Sequence, residues 1–116
     1  MGFLELCVVA EEMGRAIAPI PYSSSVYLAT TAIINSSNED VKKEYLPKLA
    51  AGEMIGTFAH SEELGTPTSD NAKTTFQNGK LSGEKIAVPD GDIANLLIVS
   101  AKCGDCLLYT SDAADE

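Results

Sequence analysis

The chain has 116 residues, of which 45% are hydrophobic and 22% charged, a composition typical of about one folded domain rather than a disordered segment. No apolar run reaches the roughly 18–20 residues that a membrane-spanning helix needs. Seventeen acidic residues against eight basic ones give a net charge of −9, and the basic residues are scattered, which argues against nucleic-acid binding. The N-terminus has no basic segment and soon reaches Glu11 and Glu12, so we expect no secretory signal and a cytoplasmic protein.

The three cysteines, Cys7, Cys103 and Cys106, are too few and too unevenly spaced for a disulfide framework. Cys103 and Cys106 do form a C-x-x-C pair. A redox or zinc site would also need a helix start after a strand or a second pair of ligands, and His60 is the only histidine. The sequence therefore predicts no metal site.

The first half of the chain predicts three helices. Residues 3–18 place apolar side chains on one face of an amphipathic helix. Residues 25–35 are apolar and carry no charge, which indicates a helix buried on most sides. A third helix begins after the capping residue Asn38, has acidic residues in its first turn and runs to Gly52. Pro47 is expected to bend or split its last turn.

From Ile55 onward, short apolar runs alternate with turn-forming residues, a pattern typical of strands. The predicted strands are residues 55–60, 73–77, 80–88 and 96–102, with Asn78 and Gly79 as a two-residue hairpin turn. Helices that lead into a β-meander predict an α+β fold. Because neither half has much core of its own, we expect the chain to span the junction of two domains.

Five motifs lie in order along this junction. Residues 10–16 read AEEMGRA, residues 45–53 read YLPKLAAGE, residues 58–62 read FAHSE, residues 78–85 read NGKLSGEK and residues 88–97 read VPDGDIANLL. In this order and spacing the motifs resemble the acyl-CoA dehydrogenase family, whose helical domain ends in a YLPxLAxGE segment before a strand with a TEP-type motif. The resemblance covers residues 2–105.

The resemblance implies a particular domain organisation. Members have a helical N-terminal domain, a β middle domain and a C-terminal helical bundle, and they form homo- or hetero-oligomers. Residues 1–53 would be the last helices of the first domain, and residues 54–105 part of an antiparallel β middle domain. Residues 106–116 break the preceding pattern and resemble an in-frame translation of a sequencing adapter, so we expect a non-native tail there.

The resemblance also implies a reaction, the α,β-dehydrogenation of an acyl-CoA thioester in the β-oxidation of fatty acids or steroid side chains. The hydride passes to FAD, and a catalytic carboxylate outside this chain removes the α-proton. An electron-transfer flavoprotein is a candidate partner, and the chain alone is expected to be inactive. The main alternative is a non-catalytic partner subunit of a heteromeric acyl-CoA dehydrogenase, and a free-standing binding module is a third reading.

Carried over position by position, the resemblance places Phe58, His60 and Ser61 against the flavin, with Ser61 where a family threonine bonds the isoalloxazine. Ser69 resembles a family serine near the acyl-CoA. Ala87 and Pro89 occupy the positions of the Trp and Thr of a W-I-T motif, so an aromatic face and a hydroxyl are missing there. From the residues alone, a packed histidine and backbone-capping serines are the simpler interpretations.

Two further features have more than one interpretation. Glu62 and Glu63 could be paired carboxylates, but neighbours on a strand point to opposite faces, so the pattern favours two solvated side chains. The loop at residues 19–22, which reads PIPY, could line an acyl pocket or serve as a rigid connector. The sequence leaves both roles of this loop open.

Overall fold

The computed structural model describes residues 2–65 and 72–103, together with the backbone of residues 106–111. Helix α1 (Phe3–Ala16) is followed by a π-helical segment (Ser23–Thr30) that continues into α2 (Thr31–Asn35), and then by α3 (Glu39–Ala51). The strands are β1 (Gly56–Ala59), β2 (Thr75–Gln77), β3 (Lys80–Ser82), β4 (Leu96–Cys103) and β5 (Cys106–Ser111). The predicted α+β class is confirmed. No helix within the described ranges is long and apolar enough to cross a membrane.

The start of α3 follows from the predicted cap. The side-chain oxygen of Asn38 accepts hydrogen bonds from the backbone N–H groups of Asp40 at 3.1 Å and Val41 at 3.2 Å. These bonds satisfy two of the donors that the first turn of a helix leaves without partners. The cap therefore fixes the helix start locally.

α3 continues through Pro47 to its end at Ala51, so the expected split of the last turn is wrong. Proline removes one helical hydrogen bond, but Tyr45, Leu46 and Leu49 pack against the hydrophobic core on either side of it. We attribute the continuity of the helix to this packing, since tertiary contacts supply most of the stability of short helices.

The sheet is mixed, with β4 as its central strand. β1 and β2 both run parallel to β4, while β5 is antiparallel to β4 and β3 is antiparallel to β2. The expected antiparallel arrangement therefore holds for the β2–β3 hairpin and the β4–β5 pair only. Parallel pairing needs a long connection between the two strands, and residues 60–95 provide one between β1 and β4.

The predicted strand at residues 80–88 is wrong beyond Ser82, where β3 ends. Gly83 follows with φ +156°, and a Cβ atom there would lie 2.7 Å from the Cα atom of Thr74. Ala87 and Asp90 both have a φ of 52°, which is incompatible with a strand. The segment from residue 84 to residue 95 is therefore a loop instead of an extended strand, and it runs beside β1.

The core lies between the helices and one face of the sheet. Ala29 and Ile33 from the helices pack against Leu96 and Ile98 of β4, and all four side chains are buried. Gly56 at the start of β1 faces Ala29 so closely that an added Cβ atom would lie 2.6 Å from the Ala29 Cβ. β1 therefore packs closely against the π-helical segment. This packing fixes the position of β1, whose far end leads into the candidate site.

Candidate functional site

A flat aromatic surface forms where β1 ends. The rings of Phe58 and His60 are stacked, with centroids 5.4 Å apart and planes inclined by 11°. Alternate residues of a strand share one face of the sheet, which is why these two side chains meet. Both side chains are half-buried, so the pair, called the Phe58–His60 platform below, retains solvent-accessible surface.

The His60 ring is held from the neighbouring strand. Its Nδ1 atom lies 2.9 Å from the hydroxyl oxygen of Ser100, which is itself buried in β4. The ammonium group of Lys85 donates hydrogen bonds to the same Ser100 oxygen at 3.1 Å and to the backbone carbonyl of His60 at 3.2 Å. Lys85 therefore links His60, just after β1, to Ser100 of β4.

Glu62 completes this group as the ion-pair partner of Lys85. A carboxylate oxygen of Glu62 lies 2.7 Å from the Lys85 nitrogen, and each side chain is only 8% exposed. The carboxylate also accepts hydrogen bonds from the backbone N–H groups of Lys73 and Thr74, which lead into β2. We refer to Glu62, Lys85, Ser100 and His60 as the Glu62 cluster.

These contacts determine the charge state of Glu62. Burial alone would raise the pKa of the carboxyl group, but the ammonium of Lys85 and the two backbone N–H groups outweigh it and lower the pKa to about 2. The expectation that Glu62 is solvated is therefore wrong, because Glu62 lies in the bend after β1, where its carboxylate pairs with Lys85. Glu63 fits the expectation, with a 56% exposed side chain 3.2 Å from Lys73.

The loop after β3 meets the end of β1. The backbone carbonyl of Ser61 accepts a hydrogen bond from the N–H of Ile86 at 2.8 Å, and the Thr57 hydroxyl donates one to the carbonyl of Pro89 at 2.6 Å. Ser61 is half-buried, whereas Ala87 and Pro89 are exposed. The loop therefore runs along β1, with Ile86 beside Ser61 just beyond the end of the strand and Pro89 beside Thr57 near its start. Whether the five predicted positions bind a flavin stays a prediction, and Ser69 lies outside the described residues.

Sequence reasoning missed two members of the Glu62 cluster, Lys85 and Ser100. Lys85 is the last residue of a recognised motif, but nothing in that motif identifies Glu62 as its partner. Ser100 did carry a signal, since it is a lone hydroxyl within the apolar run LLIVSA of β4. A buried hydroxyl needs a hydrogen-bond partner, so such a residue points to a polar contact inside the fold.

A groove of about 570 Å³ lies on the other face of the sheet. Ala59, Leu97 and Val99 contribute to its lining, and these positions alternate along their strands with those of the platform. Phe58 and His60 are not among its lining residues, but Lys85 of the Glu62 cluster is. Within the described ranges no group of acidic, histidine and cysteine side chains is arranged to hold a metal ion.

Comparison with known proteins gives consistent matches. A family model described as "Acyl-CoA dehydrogenase, N-terminal domain" matches residues 1–53. Mitochondrial isovaleryl-CoA dehydrogenase of Pongo abelii is 34% identical over 108 residues, which are 88% of this chain and 26% of that protein. Mitochondrial 2-methylacyl-CoA dehydrogenase of Solanum tuberosum is 33% identical over the same length, with the same shares of each chain.

A solved structure shows the same fold. The glutaryl-CoA dehydrogenase of Mycobacterium smegmatis, determined in complex with FADH2, superposes with a TM-score of 0.69 and 27% sequence identity. The superposition covers 80% of this chain and 25% of that one. This chain therefore spans about a quarter of the length of the relatives that it matches.

Proposed function

The chain belongs to the acyl-CoA dehydrogenase family, and on this basis we propose that it is one part of an FAD-dependent enzyme that oxidises an acyl-CoA thioester between its α and β carbons. Two kinds of similarity support the proposal. The named relatives are an isovaleryl-CoA dehydrogenase and a 2-methylacyl-CoA dehydrogenase, and the solved neighbour was determined with FADH2. Because the chain spans about a quarter of those proteins, the active enzyme would need further segments.

The observation that carries the proposal is the Phe58–His60 platform with Ser61 beside it. An isoalloxazine is a flat ring system with polar groups at its edge, so it needs a flat surface and hydrogen-bonding groups next to that surface. The stacked rings meet the first requirement, and Ser61, the next residue in the chain, would supply a hydroxyl for the second. Ala87 and Pro89 supply neither an aromatic ring nor a hydroxyl, so these two positions do not meet either requirement.

FAD, when bound, would supply the two-electron acceptor that the amino acid side chains lack. The described residues would orient it: Phe58 by contact with its flat face, His60 at its edge, and Ser61 by a hydrogen bond. Glu62 is poorly suited to remove the substrate α-proton, because a carboxylate whose pKa is lowered to about 2 is a weak proton acceptor. We therefore propose that the catalytic base is supplied by a segment outside this chain.

The test is to purify the protein from its complete reading frame and measure its visible absorption. We expect a yellow protein whose flavin band bleaches when an acyl-CoA is added without oxygen. Isovaleryl-, 2-methylbutyryl- and glutaryl-CoA form the first panel, because they represent the relatives named above. A folded protein that carries no flavin and takes none up would overturn the proposal. The 116-residue chain alone is expected to show no turnover.

A partner subunit without catalytic activity is the second candidate, and Ala87 and Pro89 favour it. Both residues are exposed at positions where family members have an aromatic ring and a hydroxyl. On this proposal the protein is colourless when purified alone, and activity appears only when it is produced together with a second dehydrogenase chain. Bound flavin in the separately purified protein would exclude this candidate.

A further inference from the structure

The Lys85 ammonium has three N–H donors, and the Glu62 cluster provides three acceptors. These are the carboxylate of Glu62 at 2.7 Å, the hydroxyl oxygen of Ser100 at 3.1 Å and the carbonyl of His60 at 3.2 Å. An ammonium group can only donate, so the Ser100 oxygen accepts from Lys85. The Ser100 hydroxyl hydrogen therefore points away from Lys85.

Two acceptors lie within reach of this hydrogen. The Nδ1 atom of His60 is 2.9 Å from the Ser100 oxygen, whereas the carbonyl oxygen of Ala59 is 3.5 Å away. The shorter distance is typical of a well-formed hydrogen bond, and the longer one is at the outer limit. Donation to His60 also creates a head-to-tail chain from Lys85 through Ser100, in which each bond polarises the next.

If Nδ1 accepts a hydrogen bond, the ring proton of a neutral imidazole must be on Nε2. A histidine tautomer has to be inferred from such a network of hydrogen bonds. The stacked Phe58 ring sets the plane of the imidazole, and the Ser100 contact sets its rotation within that plane. Nε2 then projects from the half-buried ring on the side away from Ser100.

We propose that Ser100 and Lys85 lock His60 in the Nε2–H tautomer, so that His60 donates a hydrogen bond to the acceptor edge of a planar ring system bound at the platform. Ser100, Lys85 and Glu62 are positioning residues in this scheme, and His60 is the residue that touches the ligand. The ligand is a flavin, so this part rests on the proposed function. The tautomer itself follows from the Glu62 cluster alone.

Nitrogen NMR of protein labelled with ¹⁵N-histidine tests the tautomer directly. At mildly alkaline pH we expect Nδ1 of His60 to resonate as an unprotonated, acceptor nitrogen and Nε2 as a protonated one. The His60→Gln variant assigns the signals by their loss. In Ser100→Ala the two nitrogens should shift toward the averaged positions of an unconstrained ring, while Ser82→Ala, at an exposed serine of β3, should leave them unchanged.

Binding of FAD to the apoprotein tests the donor role, with fluorescence quenching as the readout. His60→Phe keeps a flat ring but removes the donor, so we expect the dissociation constant to rise roughly 3- to 10-fold, as for one neutral hydrogen bond. His60→Gln retains an N–H group near the Nε2 position and should bind within about 3-fold of the unchanged protein. The contrast between these two variants separates hydrogen bonding from stacking.

Each result decides one part of the proposal. A protonated Nδ1, or nitrogen signals that Ser100→Ala does not alter, would overturn the locked tautomer. Equal affinity of His60→Phe and the unchanged protein for FAD would overturn the donor role while leaving the flavin site intact. If neither the unchanged protein nor any variant binds FAD, the proposed function fails together with the donor role. The NMR result still decides the tautomer.

Discussion

The two ends of β1 are held by contrasting kinds of contact. At its start, Gly56 lies against Ala29 in a region where fit between apolar surfaces is decisive. Just beyond its end, Glu62 and Lys85 form an ion pair that is almost completely shielded from water. The start should therefore respond to side-chain volume and the end to charge, although only a few residues separate them.

The comparison also shows why the candidate site lies at the charged end. Apolar packing positions a backbone, but it cannot select one orientation of a polar ring. In the Glu62 cluster, Lys85 donates a hydrogen bond to the backbone carbonyl of His60, and Ser100 contacts the His60 ring. The cluster therefore fixes both the backbone and the side chain of His60. Substitutions that disrupt the apolar contact at the start of β1, or the charged contacts beyond its end, test whether the two ends respond differently.

The largest effect is expected from Lys85→Met, which leaves the Glu62 carboxylate buried without its counter-ion. Removing one partner of a buried ion pair typically lowers the free energy of unfolding by about 3–5 kcal/mol. The matched control is Arg15→Met, since Arg15 pairs with Glu11 on α1 while both side chains are more than 60% exposed, at 67% and 64%. That change should alter stability by less than about 1 kcal/mol. Urea unfolding measures both, and equal losses would contradict the assigned role of burial.

A smaller effect is expected from acid. The pKa of Glu62 is lowered from 4.5 to about 2 in the folded chain, so the folded state binds this proton less readily than the unfolded state does. The resulting stability is fully present above pH 4.5 and is lost as the pH falls from 4.5 toward about 2.

The variant Glu62→Gln isolates this contribution. It should flatten the decline of the unfolding free energy over that acid range, and Glu63→Gln, which alters an exposed carboxylate, should not. Urea titrations at several pH values measure the slope. An unchanged slope in Glu62→Gln would show that other carboxylates determine the acid response.

At the start of β1, Gly56→Ala tests volume in place of charge. The added methyl carbon would lie 2.6 Å from the Ala29 Cβ and 3.3 Å from a methyl carbon of Leu49, so the strand or a helix must move. Overpacking of this kind typically lowers stability by about 1–3 kcal/mol. The loss should be the same at neutral and acidic pH, because no charged group takes part.

Gly14→Ala is the matched control, because a Cβ atom on Gly14 of α1 would meet nothing within 4 Å. The same substitution should there raise stability by about 0.5–1 kcal/mol, since alanine loses less backbone entropy than glycine in a helix. Thermal unfolding of the two variants compares them. A destabilised Gly14→Ala would show that the difference does not come from the contact with Ala29.

Local signals predicted the fold well. The cap at Asn38 and the hairpin turn at Asn78 and Gly79 depend on neighbouring residues, and the structure contains both where they were expected. The position at which β3 ends was not predicted, because it depends on the close approach of Gly83 to Thr74. No local sequence pattern indicates that contact.

The candidate site was only partly predictable for the same reason. Phe58, His60 and Ser61 were found through motif resemblance, and the two-residue spacing of Phe58 and His60 explains the stacked platform. The Glu62–Lys85 and His60–Ser100 contacts join residues 23 and 40 positions apart, respectively. The His60–Ser100 contact follows from the register of β1 against β4, and the Glu62–Lys85 contact follows from the path of the loop after β3. A single sequence specifies neither.

A further small effect is predicted outside both ends of β1, at the end of α1. Ile17 has a φ of 49° and a side chain that is 85% exposed, so it adopts a left-handed conformation without burying its apolar surface in return. That conformation is unfavourable by roughly 1–2 kcal/mol for residues other than glycine. We therefore expect Ile17→Gly to raise the free energy of unfolding by about 1 kcal/mol.

Ile20→Gly provides the contrast for this prediction. Ile20 is 55% exposed and does not have a positive φ. Glycine there should only increase the conformational freedom of the unfolded chain and so lower the free energy of unfolding slightly. Chemical unfolding of both variants gives the comparison. Because Ile17 caps the end of α1 and is not part of the Glu62 cluster, its variant should leave the acid slope and the His60 nitrogen signals unchanged. A change in either would mean that α1 and the Glu62 cluster are coupled, and that the two ends of β1 do not act separately.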